Sequence, residues 1–99
     1  MNETEVLALL KKVGAVITDS HVVLTSGKHA SAYVNKDAVY PHTKETSRLC
    51  QAIAGWFEDN QIEVVIGPAI GGVILSQWTA FHLTTMCQRE VSSVYAEKV

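Results

Sequence analysis

The sequence predicts an α/β fold in which a strand, a glycine-rich loop, a helix and a second strand form a βαβ unit. Three observations carry this. Residues 5–13 and 49–57 place apolar side chains at helical spacing. Val64-Val65-Ile66 is a continuous apolar run of the kind found in strands covered on both faces. Gly67-Pro68-Ala69-Ile70-Gly71-Gly72 then separates that run from a long apolar stretch, which ends before a last β-type segment. Two strands joined through a helix in this order lie parallel, with a right-handed crossover.

Each element has its own signal. Val6, Leu9, Leu10 and Val13 share one helical face, Asn2 and Glu5 are placed like a capping box, and Gly14 is the stop. From Ala15 to Leu24 two β-branched runs, Val16-Ile17 and Val22-Val23-Leu24, flank Asp19-Ser20. Ser26-Gly27 marks a turn before Ala32-Tyr33-Val34, completing an antiparallel β segment. Pro41 and Thr43 precede a second helical face of Leu49, Ala52, Ile53, Trp56 and Phe57, which ends at the polar Glu58-Asp59-Asn60-Gln61. Val73 to Leu83 is apolar nearly all round and reads as a buried helix, and Ser93-Val94-Tyr95-Ala96 is the closing strand. Two parallel strands are too few for a finished doubly wound domain, so further strands are expected downstream.

At 99 residues, 47% hydrophobic and 18% charged, the composition is that of one globular unit. A chain this short buries only about 60–65% of its unfolded surface, so a missing piece of a larger fold would leave apolar surface exposed and favour association. The net charge of −2, without a Lys/Arg stripe, argues against nucleic-acid binding. The acidic Met-Asn-Glu-Thr-Glu start lacks a secretory pattern, and no apolar run approaches the roughly 18 residues of a membrane span, so a cytoplasmic protein is expected. Cys50 and Cys87 sit in helix-like apolar stretches without metal or redox spacing and read as buried structural thiols. His21, His29, His42 and His82 share no metal-ligand spacing; no metal site is expected, and His82 reads as a hydrogen-bonded core residue.

Two segments carry candidate chemistry. The loop after Ile66 falls where open α/β sheets bind ligands, outside the carboxyl end of a strand and before a helix N-terminus whose N–H groups favour a phosphate or pyrophosphate. Gly71 and Gly72 keep no Cβ between an anion and the backbone, and positive φ there would turn successive N–H groups inward. The loop is neither a Walker A sequence nor a Gly-x-Gly-x-x-Gly fingerprint, and a tight strand-to-helix turn without a ligand accounts for the same residues. The second segment runs from Thr25 to Asp37. Lys28 and Lys36 supply point charges for phosphate or carboxylate and Tyr33 a flat face for a planar base; a solvated hairpin is the alternative. Lys98, just past the closing strand, would emerge at the same carboxyl edge as the loop, or else be a solvated terminal lysine.

Taken together, Val23-Leu24-Thr25-Ser26-Gly27-Lys28 with Ala32-Tyr33-Val34-Asn35, Glu63 through Gly72, and Val94-Tyr95-Ala96-Glu97-Lys98 resemble the orotate phosphoribosyltransferases in order and spacing, over nearly all of the chain. The resemblance implies the N-terminal part of a type I phosphoribosyltransferase fold: a single truncated domain over 1–99, with a helix and small β hood at 1–40 and the start of the parallel-sheet core at 41–99. It implies transfer of phosphoribosyl from phosphoribosyl pyrophosphate (PRPP) to orotate, with Mg²⁺ bound alongside PRPP, giving orotidine monophosphate and pyrophosphate in pyrimidine biosynthesis, in a homodimer. Thr25, Lys28, Tyr33, Val34 and Lys36 would border the base and its anionic groups, and Ala69, Ile70, Gly71 and Gly72 would hold pyrophosphate. Lys98 would open a mobile catalytic loop that reaches the phosphates.

The departures from the family pattern are specific. Thr25 and Gly71 stand where many members have lysine, and Glu97 where arginine is common, so three cations are missing and Lys28 and Lys36 are the substitutes at hand. No hydrophobic strand ends in two acidic residues followed by Thr-Thr-Gly: Glu58-Asp59 ends a helix, and Thr84-Thr85 leads to Met86. The ribose-phosphate cradle is therefore expected beyond residue 99, and this half alone is expected to be inactive. A phosphoribosyltransferase for another base, a non-catalytic module that dimerises or binds a partner through its open sheet edge, and a nucleotide-sensing regulator are the alternatives.

Overall fold

A computed structural model describes residues 1–23 and 29–97, and between 17 and 33 the backbone alone. The chain divides into two compact units, Met1–His42 and Thr43–Val99.

The first unit opens with helix α1, Glu3–Lys12. The Asn2 side chain accepts the Glu5 N–H at 2.8 Å, satisfying one of the amides that a helix start leaves without a partner. Glu3 and Glu5 lie in the first turn and Lys11 and Lys12 in the last, matching the helix dipole at both ends. Gly14 ends the helix with φ of +75°, and the amides of Gly14 and Ala15 fold back onto the carbonyls of Lys11 and Leu10 at 3.1 and 2.9 Å. Strand β1, Val16–Val23, then pairs antiparallel with β2, His29–Val34. The register runs from Val16 opposite Val34 to Val23 opposite His29, with an irregularity between Thr18 and Val22. The two β-branched runs expected on either side of Asp19-Ser20 are thus one strand with a local irregularity, because the two extra residues between Thr18 and Val22 bend the strand without ending its pairing. The turn expected at Ser26-Gly27 lies outside the described residues.

The second unit holds the βαβ arrangement. Helix α2, Thr43–Phe57, passes through a 3₁₀ turn at Glu58–Asn60 and stops at Gln61, which is left-handed with φ of 54°. Strand β3, Val64–Pro68, helix α3, Val73–Cys87, and strand β4, Ser92–Ala96, follow. β3 and β4 are parallel, with Val64 opposite Ser92 and Pro68 opposite Ala96, as expected from the order of elements. Ala54, Ala80, Leu83 and Val91 form the core of this unit, with Ile62, Val65, Met86 and Cys87 packed around them.

Three expectations about burial are corrected. The covered face of α2 is Thr46, Cys50 and Ala54, spaced four residues apart, whereas Trp56 is 72% and Phe57 43% exposed. Small side chains line the contact with α3 because they let two helix backbones approach: the Cys50 thiol reaches the Leu75 carbonyl at 3.7 Å, and Ser47 Oγ lies 2.9 Å from His82 Nε2. Helix α3 is buried on one side only, through Ser76, Thr79, Ala80 and Leu83, while Phe81 is 54% exposed. Strand β3 is likewise covered on one face. For α3 and β3 an all-round apolar pattern reports the coverage of a finished α/β layer, whereas the described residues of their unit supply α2, the 3₁₀ turn after it and a two-stranded sheet. His82 behaves as expected, half-buried, bonded to Ser47 and stacked at 6.2 Å on Trp78. No helix among the described residues is long and apolar enough to cross a membrane.

Candidate functional site

The glycine loop sits where the sequence placed it, at the carboxyl ends of the two parallel strands and at the start of α3. Two features hold it there. The Ala69 N–H donates to the Ala96 carbonyl at 2.8 Å, continuing the β3–β4 ladder one residue into the loop. The Gly72 N–H donates to the Pro68 carbonyl at 2.8 Å, and the Ser76 N–H to the Gly72 carbonyl at 2.9 Å, so the turn passes directly into the helix. The peptide between Ala69 and Ile70 is cis.

Two glycines make this junction sterically feasible. A β-carbon on Gly67 would lie 2.7 Å from the Gly72 carbonyl carbon, closer still to its oxygen, and 2.9 Å from Ser76 Oγ. One on Gly72 would meet the Pro68 ring and come within 2.9 Å of the Pro68 nitrogen. Strand end and helix start are in backbone contact, the close approach that only glycine allows. Ser76, almost fully buried below the loop, donates to the Val73 carbonyl at 2.9 Å and lies 3.3 Å from Ser93 Oγ, tying α3 to β4.

This geometry revises how the loop can meet an anion. The expected positive φ is not adopted: Gly72 has φ of −97°, and Gly14 is the glycine with positive φ among the described residues. The amides of Ala69, Gly72 and Val73 are taken up by the carbonyls of Ala96, Pro68 and Ile70. What the loop presents outward is its tip, where Ile70 is 88% exposed, followed by half-buried Gly71 and the opening turn of α3, whose N–H groups point toward the loop. Gly72 is a packing residue, buried against Pro68. Gly67, Ser76 and Ser93 are not candidate site residues on the sequence alone. Gly67 was legible as part of the glycine run, whereas the two serines carry no local signal because their meeting depends on the β4–α3 packing.

The remaining candidates lie in the first unit or outside the described residues. Val34, 51% exposed, ends β2, and Lys36, also exposed, opens a 3₁₀ turn capped by Asn35, whose side chain accepts the Asp37 N–H at 3.2 Å. Both belong to the first unit, as does Tyr33, of which the backbone alone is described, opposite Ile17. Thr25, Lys28 and Lys98 lie outside the described residues. A groove of 510 Å³ beside β4 is lined by Gln77, Phe81, Thr84, Glu90 and Ser93, among others, and by none of the loop residues. Among the described residues no three His, Cys, Asp or Glu side chains converge into a set able to hold a metal ion.

No protein-family model matches the chain. It is 41% identical over 83 residues to the orotate phosphoribosyltransferase of Desulforamulus reducens, covering 84% of this chain and 43% of that protein. The orotate phosphoribosyltransferase of Bartonella tribocorum is 35% identical over 102 residues, all of this chain and 50% of that protein, and that of Brucella anthropi 37% over 101 residues, 99% and 49%. Among solved structures, the orotate phosphoribosyltransferase of Francisella tularensis superposes with a TM-score of 0.70 at 15% identity, over 93% of this chain and 46% of that one. That of Mycobacterium tuberculosis, in complex with Fe(III) dicitrate, gives 0.69 at 19% identity, over 96% and 51%. The chain thus spans about half the length of the relatives it matches, in sequence and in fold alike. It belongs with the orotate phosphoribosyltransferases and corresponds to their N-terminal half.

Proposed function

We propose that this chain supplies the pyrophosphate-binding half of a phosphoribosyltransferase that joins orotate to phosphoribosyl pyrophosphate, and that it does not turn over without the other half. The observation that carries this reading is the loop from Gly67 to Gly72, fastened by the Ala69–Ala96 hydrogen bond at the carboxyl edge of a parallel strand pair and opening directly into α3. In that place Ile70, Gly71 and the first turn of α3 meet the departing pyrophosphate. Amides already fixed by the fold stabilise charge as it develops on a leaving group, without reorganising at the moment of reaction. As pyrophosphate departs, positive charge grows on the ribosyl carbon. Lys98 and Lys28 are the cations proposed to complete the anion site, and Tyr33, Val34, Thr25 and Lys36 to border the base.

Magnesium, implied by the family, finds no cage among the described side chains of this half, so the contribution assigned to the chain is its backbone amides and lysines. The same reading takes the protein as cytoplasmic and as a homodimer.

The test is a paired assay at one protein concentration: orotate consumption with phosphoribosyl pyrophosphate and Mg²⁺, beside calorimetric titration with pyrophosphate. Pyrophosphate binding without turnover is the expected result. Turnover by the 99-residue chain alone would refute the half-site reading, and absence of both would remove the anion site.

A further inference from the structure

Ser76, the fourth residue of α3, is 3% exposed and grips the helix start twice. Its N–H donates to the Gly72 carbonyl at 2.9 Å and its hydroxyl to the Val73 carbonyl at 2.9 Å. The same Oγ lies 3.3 Å from Ser93 Oγ on β4. A carbonyl can only accept, so the Ser76 proton goes to Val73, and the proton between the two serines comes from Ser93. The result is a relay from Ser93 through Ser76 to the Val73 carbonyl. It lies directly under the loop, since a β-carbon on Gly67 would fall 2.9 Å from Ser76 Oγ.

The Val73 carbonyl and the Ile74 N–H are the two ends of one peptide group. That N–H belongs to the opening turn of α3, whose amides have no acceptor within the helix. A hydroxyl bonded to the carbonyl fixes the plane of the peptide and polarises it, which strengthens the N–H as a donor. Helical serines often bond back to a preceding carbonyl. The contact with β4 sets this one apart, because it ties the hydroxyl to the strand that also holds Ala69 through the Ala96 carbonyl. We propose that Ser76, oriented by Ser93, is a positioning residue for the anion site and aims the Ile74 amide at pyrophosphate from the buried side of α3. The inference rests on the reading of the loop as a pyrophosphate site.

The experiment titrates the chain and its variants with pyrophosphate by calorimetry and follows the Ile74 amide by NMR, with folding checked by circular dichroism. Ser76→Ala should weaken binding about 3- to 10-fold, the worth of one hydrogen bond, and move the Ile74 amide proton to higher field in the unliganded protein. Ser93→Ala should give a smaller loss in the same direction, and Ser93→Thr, which keeps the hydroxyl, should recover most of it. This pair carries the test should Ser76→Ala fail to fold. The double alanine variant should lose no more than Ser76→Ala alone. Thr84→Val, which loosens the far end of α3, should leave the affinity unchanged and so separates positioning from stability. Full affinity in folded Ser76→Ala, equal losses in Ser93→Ala and Ser93→Thr, or a matching loss in Thr84→Val would each overturn the inference while the pyrophosphate site stands. A parent chain that binds no pyrophosphate would sink the reading of the loop, and the inference with it.

Discussion

Gly67 and Gly72 meet backbone to backbone: a β-carbon on the first would fall 2.7 Å from the carbonyl carbon of the second. The strand that carries the loop and the helix that receives it are thereby held together without an intervening side chain. Gly67→Ala must push the loop away from α3, and overpacking of this kind costs about 1–3 kcal/mol. Urea denaturation should show a lower midpoint at unchanged slope. A midpoint within error of the parent would mean that the junction is loose enough to absorb a methyl group, and that the loop has no fixed shape to offer a ligand.

The loop itself was legible because glycine and proline are read one residue at a time, and so were α1, capped by Asn2 and stopped by Gly14. Coverage was not legible. Val73 to Leu83 and Val64-Val65-Ile66 are as apolar as elements with neighbours on every side, and a sequence pattern records the complete fold in which it evolved. Phe81 and Ile66 are exposed here because no layer among the described residues of their own unit covers them. The covered face of α2 is hidden in the sequence for a related reason. Large residues such as Trp56 dominate a hydrophobic pattern, yet the tight seam with α3 is built from Thr46, Cys50 and Ala54.

Thr84 closes the chain reversal between α3 and β4. Its Oγ1 accepts the Val91 N–H at 2.9 Å and lies 3.4 Å from the Val91 carbonyl, while Val91 itself is buried in the core. Thr84→Val keeps the shape and leaves a buried amide without its acceptor, which costs about 1–3 kcal/mol. Thr84→Ser retains the hydroxyl and should recover most of that loss. Equal destabilisation by both variants would assign the effect to the methyl group instead.

The contact between Ser47 Oγ and His82 Nε2 joins α2 to α3 at 2.9 Å. Ser47→Ala and His82→Phe should each destabilise the unit, and the double variant should lose less than the sum, with a coupling of about 0.5–1.5 kcal/mol for one part-buried hydrogen bond. Additive losses in the double-mutant cycle would show that packing on Trp78, and not the hydrogen bond, holds His82 in place.

The pyrophosphate site proposed at the loop tip can be tested by charge. Ile70 is 88% exposed, so Ile70→Glu should leave stability unchanged while placing a carboxylate beside the proposed anion site. Like charges near a partly shielded backbone site repel by about 1–2 kcal/mol, which is roughly a 10-fold loss of affinity by calorimetry, smaller at high salt. Unchanged affinity would place the anion elsewhere.

Cys50 supplies the pH dependence. The thiol is fully buried between α2 and α3, and desolvation pushes its pKa up, with a hydrogen bond to Thr79 pulling partly the other way. The folded protein therefore keeps this proton at a pH where the unfolded chain, with an ordinary thiol at about 8.5, has lost it. Stability from this group is fully present below the unfolded value and declines as pH rises toward the folded one. Denaturation midpoints should fall between pH 7 and pH 10, and Cys50→Ala, although less stable at pH 7 through its cavity, should fall less steeply. Alkylation reports the same burial: half-buried Cys87, whose thiol contacts the Glu58 carbonyl at 3.7 Å, should react first, and Cys50 only as the protein unfolds. Equal labelling rates in the native protein would mean that α2 and α3 part readily, and the pH dependence assigned to Cys50 would disappear with them.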